Sequence, residues 1–172
     1  MSFKLHLLVC TAVVLGSAFF SPVFASNLQG TFIYVPGKGG NVNWAIDKTV
    51  EGMNIFMRMI AREQLRKNNK PDKRITLEIS PAEVSITTDD DAPMRTSPEG
   101  TPARWQNEDG EVLVVSTRLE GDVLQQTIKA QGGERVNVYS VSSDGQTLTL
   151  DVTVSSDRLK VPVKYCLVYQ RS

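Results

Sequence analysis

The chain is short of the residues on which most catalysis and metal binding are built. Its 172 residues include 1 histidine and 2 cysteines. A charge excess of either sign is missing too, since 19 Lys and Arg balance 19 Asp and Glu. No basic stripe or polybasic run is present, which argues against a nucleic-acid partner and against binding an anionic surface by charge alone. The apolar run at the start, Leu5 to Phe20, is short for a membrane span.

That start reads MSFKLHLLVCTAVVLGSAFFSPVFAS. Lys4 is a short basic lead, the apolar run follows, and Val23 and Ala25 precede a cut before Ser26. This is the layout of a cleaved secretory signal over 1–25, so the expected location is periplasmic or secreted. A retained anchor is the rival reading, disfavoured by the short run and the small-residue site. Cys10 lies inside the apolar run behind Val9, which does not fit a lipoprotein cysteine. Processing would remove His6 and Cys10 and leave Cys166 as the one thiol. An intramolecular disulfide, a histidine metal site and a histidine general base are then excluded. No catalytic residue, cofactor or metal is expected. Residues 26–172 suit one domain with one core and no transmembrane segment after cleavage.

The remainder reads as one helix set among short strands. QGTFIYV is a first strand and PGKGGN a loop. A helix is expected over 43–68, with Asn43 as N-cap, Asp47 in its first turns, and KNNKP as its stop. Ile46, Val50, Met53, Met57, Ile60 and Ala61 recur at steps of three and four, with Phe56 on the flank. That stripe is expected to face the concave side of a sheet. Ile55 and Met59 fall among the arginines on the other side, and are expected at the surface as a contact for a protein partner or a membrane. From Arg74 the period becomes two. RITLEIS, EVSIT, ARWQ, EVLVVSTR, VLQQTIKA, RVNVYSV, TLTLDVTVS and VPVKYCLVYQR alternate apolar and polar residues, with tight turns such as Asp109-Gly110 between them. The fold class is therefore mainly β: an antiparallel up-and-down meander of about eight or nine strands. It forms a barrel or a strongly curved sheet, with one helix inserted after the first strand.

Three features resemble the calycin superfamily, the lipocalins and intracellular fatty-acid-binding proteins. LQGTF is similar to the opening Gly-x-Trp signature, with Gly30 matching and Phe32 in place of tryptophan. LVYQR ends the last strand, and Arg171 stands where lipocalins set an arginine across the first-strand aromatic. The helix placed between first strand and meander is similar to the fatty-acid-binding arrangement. The resemblance implies a β-barrel whose closure brings Gly30, Phe32 and Arg171 together. The Arg-x-Tyr carboxylate motif does not carry over, because the order here is Tyr169-Gln170-Arg171.

A small barrel has an interior sized for packed side chains or for one small ligand. The inward positions are mostly Ile, Leu and Val, with Gln126, Tyr165 and Tyr169 among them, and apolar walls with few polar groups describe a small-molecule site. The candidate ligand-binding residues are Met53, Phe56, Met57 and Ile60 as a lid, and Gln126, Tyr165 and Tyr169 inside. The leading expectation is an exported, non-enzymatic binding protein for a lipid or other small apolar or amphipathic molecule. The alternative is an envelope interaction module with a filled core. An unrecognised hydrolase comes third, with no motif behind it. PGKGGN lacks the spacing of a phosphate loop, and Asp89-Asp90-Asp91 lacks the alternation of a calcium loop.

Overall fold

A computed structural model describes residues 27–107 and 110–172. The 1–25 signal, with His6 and Cys10, and Asp109 of the expected Asp109-Gly110 turn lie outside the described residues. β1 (Gly30–Gly39) leads into α1 (Val42–Val50) and α2 (Ile55–Asn68). The meander follows as β2 (Arg74–Ile79), β3 (Val84–Thr88), β4 (Met94–Thr96), β5 (Ala103–Gln106), β6 (Val112–Glu120), β7 (Val123–Ala130), β8 (Gly133–Val141), β9 (Thr147–Ser156) and β10 (Val163–Arg171). All pairs are antiparallel, in the order β4-β3-β2-β1-β10-β9-β8-β7-β6-β5. Ten strands replace the eight or nine expected. The extra one, β4, sits inside the stretch 89–102 that reads as a polar loop, where MRT shows too little alternation to declare itself.

Two seams make the barrel. At the first, β1 pairs with β10, with Phe32 opposite Arg171 and Tyr34 opposite Tyr169. At the second, the chain leaves β4 and runs along β6. Leu119 N donates to Pro98 O (2.9 Å), Gly100 N to Thr117 O (2.8 Å), and Glu99 bridges Arg118. The buried hydroxyls of Thr96 and Thr117 meet at 2.5 Å across this seam. The barrel is thus nearly closed, which leaves little free edge for another chain to pair with.

Period-two alternation then decides what lies inside. Phe32, Ile75, Leu77, Val84, Ile86, Leu124, Leu148, Leu150, Val152, Val163 and Leu167 join one buried cluster. α1 supplies Ala45 and Ile46 to the same cluster and so covers one end of the barrel.

The helical region departs from the expected single helix over 43–68. The N-cap is Asn41, not Asn43, and its side chain accepts from Trp44 N at 3.0 Å. α1 ends at Val50, and a turn containing Gly52 breaks the helix. Asn54 then caps a new helix by accepting from Met57 N at 2.9 Å. Glycine's freedom and a fresh Asn cap together favour a stop and restart over continuation. α2 ends at Asn68 with Asn69 as C-cap, where the KNNKP signal places the stop.

The break also reverses the expected facing of α2. Its arginines, rather than its methionines, make the contact with α1. Arg58 Nη2 donates to the Glu51 and Met53 carbonyls at 2.6 and 2.9 Å. Arg62 and Arg66 reach Asp47 at 2.8 and 3.0 Å. Asp47 therefore bridges the helices instead of complementing the α1 dipole. No α2 residue is fully buried. Leu65 alone among its large aliphatic side chains packs partly against the core.

Candidate ligand-binding site

Besides the Thr96–Thr117 hydroxyl pair at the second seam, the mostly apolar barrel interior holds one larger connected group of polar side chains. Alternation on β8 turns Arg135, Asn137 and Tyr139 inward, while β7 contributes Gln126 and β10 contributes Tyr165 and Tyr169. Asn137 Nδ2 donates to Gln126 Oε1 at 2.9 Å, and the Tyr139 hydroxyl donates to the same oxygen at 3.2 Å. Arg135 Nε donates to Asn137 Oδ1 at 2.9 Å. From the end of α2, Asn69 closes the group. Its Oδ1 accepts from the Tyr165 hydroxyl at 2.9 Å and from Arg135 Nη1 at 3.3 Å, and its Nδ2 donates to Leu65 O at 2.8 Å.

Two features of this group bear on ligand chemistry. Arg135 is half-buried, donates to amide oxygens, and has no carboxylate within 4.0 Å among the described residues. Tyr169 is wholly buried, and its hydroxyl has no hydrogen-bond partner among the described residues. An inward guanidinium and an unbonded hydroxyl inside an apolar wall each carry a desolvation cost. Burial pushes the phenols of Tyr139, Tyr165 and Tyr169 above their ordinary range, so all three stay neutral donors. Asp72, in the loop after α2, has its carboxyl pushed up mainly by burial, with Arg135 acting in the opposite direction.

The expected interior residues Gln126, Tyr165 and Tyr169 all lie inside the barrel, buried and within or beside this group. The expected lid residues do not join them. Phe56, Met57 and Ile60 are exposed on α2, at 76%, 47% and 58%, and Met53 is only half-buried in the turn before it. The physical reason is the helix break: α2 lies against α1 by its arginine face, so its apolar stripe has no sheet to cover. Ile55 and Met59 are exposed, as their spacing suggested. Sequence reading missed Arg135, Asn137, Tyr139 and Asn69. A signal for the β8 trio was present, since RVNVY alternates strictly. The ordinary rule would send Val136 and Val138 inward, and here the polar set points in instead.

A cleft of about 570 Å³ opens beside this group, between the end of β1, the start of α1 and the end of α2. Tyr34, Asn43, Arg66, Asn69, Lys70 and Pro71 are among its walls. Tyr34 packs on Tyr169 with ring centroids 5.5 Å apart.

Gly30, Phe32 and Arg171 meet at the β1–β10 seam. The Arg171 guanidinium carbon lies 4.5 Å from the Phe32 ring centroid. Its nitrogens donate to the carbonyls of Asn27, Gln29 and Gly145 at 2.5, 2.8 and 2.5 Å. Gly30 has φ +140°, and a Cβ there would collide with the Arg171 guanidinium.

The fold has parallels among solved structures. A fatty acid transporter designated REP1-NXSQ matches at 15% identity, covering 85% of this chain and 96% of that one, with a TM-score of 0.53. A secretary abundant heat soluble protein of Ramazzottius varieornatus matches at 12% identity, over 85% and 96%, with a TM-score of 0.58. The Schistosoma mansoni fatty acid binding protein, solved with arachidonic acid, matches at 16% identity, over 86% and 98%, with a TM-score of 0.52. The chain has the calycin-like β-barrel fold of these proteins. The transporter and the fatty acid binding protein are named for transport and binding, not for catalysis. No protein-family model and no curated protein matches the chain.

Proposed function

We propose that the chain is an exported, non-enzymatic protein that carries or sequesters a small amphipathic molecule with an anionic head group inside its barrel. The observation that carries this reading is Arg135. It points inward, donates to the amide oxygens of Asn137 and Asn69, and has no ion-pair partner within 4.0 Å among the described residues, although Asp72 lies near enough to feel its charge. A carboxylate or similar anion would give it a charge-assisted partner. The free hydroxyl of Tyr169 offers a second donor. An apolar tail would be favoured by burial, at about 25 cal/mol per Å². Fatty-acid transport and binding by neighbours of the same fold supports the ligand class. Export rests on the 1–25 segment alone. Among the described residues no helix is long and apolar enough to cross a membrane.

A second reading rests on α2. Trp44, Ile55, Phe56, Met57, Met59 and Ile60 are all exposed on the helical pair. Large exposed apolar patches commonly mark interaction surfaces. In this reading the helices meet a protein partner and the barrel is a scaffold.

Solvent extraction of the purified protein, followed by mass spectrometry, tests the first reading. A copurifying acidic amphipath supports it. An empty extract, together with no uptake of added dodecanoate, counts against it and leaves the interaction reading.

A further inference from the structure

We infer that the cleft between β1, α1 and α2 is the ligand's route into the barrel, with Asn69 as its gate. This rests on the binding reading above and adds a path to it. Three observations converge on the same place.

The barrel wall is interrupted there. Between Tyr34 and Gly39, β1 advances five residues while β10 advances only two, from Tyr169 to Leu167. The ladder is regular up to Tyr34, and the strands approach again at Gly40, whose N–H donates to Cys166 O at 2.7 Å. The intervening part of β1 bulges out and forms one wall of the cleft.

Behind the interruption, side chains separate cleft from interior. Tyr34 faces the cleft and lies on the buried ring of Tyr169. Asn69 faces the cleft, is 4% exposed, and holds Tyr165 and Arg135 on its inner side. Asn69 sits at the C-cap with non-helical backbone angles, φ −127° and ψ 32°. Turning it aside breaks three side-chain hydrogen bonds and no strand pairing. Everywhere else around the first seam, opening the wall means breaking a β-ladder.

The rim suits an anionic end. Arg66 and Lys70 line the cleft; Arg66 is paired with Asp47, and Lys70, with no ion-pair partner among the described residues, is the cation left for an anion. An anion drawn to this rim has Asn69, then Arg135, on its way in.

The test uses two site-specific blocks in the full chain with Cys10 and Cys166 replaced by serine. Asn43→Cys at the cleft and Phe56→Cys on the exposed face of α2 are each labelled with a bulky maleimide. Association of 12-(9-anthroyloxy)stearate is followed by stopped-flow fluorescence. The label at position 43 should slow association about tenfold or more, and the label at position 56 should change it less than about twofold. Without labels, Lys70→Glu should lower the association rate and flatten its dependence on salt. Asn69→Ala should raise association and dissociation rates together. Equal slowing by both labels, or slowing by the label at position 56 alone, overturns the route while leaving binding intact. Failure of the unlabelled protein to bind the probe overturns the binding reading and the route with it.

Discussion

Arg171 and Phe32 are register partners across the first seam, and the guanidinium lies over the ring at 4.5 Å. The same guanidinium ties down three carbonyls on the segments that lead into β1 and β9. One side chain therefore joins the start of the barrel, its end and the β8–β9 turn. Replacing Arg171 with Met should cost about 2–3 kcal/mol in denaturant melts, since charge-assisted bonds to carbonyls and a cation–π contact are lost together. Gly30→Ala should cost about 1–3 kcal/mol, because it forces a Cβ at positive φ into the guanidinium. Unchanged melts for both would remove the seam from any role in stability.

The helical pair should respond unevenly to truncation. Ile46 on α1 is completely buried in the core, so Ile46→Ala should cost about 2–4 kcal/mol. Met57→Ala and Met59→Asp on α2 should each stay within about 0.5 kcal/mol of the parent, being surface changes. Urea melts of the three variants check this. A large loss at Met57 would mean that α2 closes down on the barrel in solution.

These helices also mark where sequence reading stopped being sufficient. The meander and its inward Leu and Val positions were legible, because period-two patterning and turn residues are local signals, while the meeting of Gly30, Phe32 and Arg171 was implied by the calycin resemblance. The facing of α2 was not legible. Its methionines are spaced as a core stripe, and only the break at Gly52 and the Asp47 contacts with Arg62 and Arg66 turn them outward. Those contacts are long-range in sequence. Arg135 was missed for a related reason. An alternating strand has two faces, and nothing within RVNVY says that the charged one points in.

Asp72 should make stability fall as pH rises. Its folded carboxyl is held above the ordinary value of 3.8 by burial, so the folded state retains a proton that the unfolded chain has released. Native protons then outnumber unfolded ones in the window from that ordinary value up to the raised one, and stability declines across it. Above the window the penalty is complete, and below both values it is absent. Asp72→Asn should therefore raise the melting temperature at neutral pH and make no difference in strong acid. A variant less stable than the parent at neutral pH would show that Asp72 is held by a favourable contact instead.

Arg135→Leu should separate head-group recognition from tail burial. The dissociation constant for dodecanoate should rise about tenfold or more, the scale of one charge-assisted contact, while that for dodecanol moves less than about twofold. Isothermal titration with the two ligands reads both numbers. Equal weakening would mean that the substitution damages the pocket's shape rather than its charge.

The proposed ligand lies inside the barrel. The most direct measurement is a set of intermolecular nuclear Overhauser effects between 13C-labelled dodecanoate and the protein's methyl groups. The expected contacts are to Leu124, Leu150 and Leu167, all buried in the barrel core. Contacts confined to Ile55, Met57, Met59 and Ile60 would place the ligand on the outer face of α2 and contradict the account.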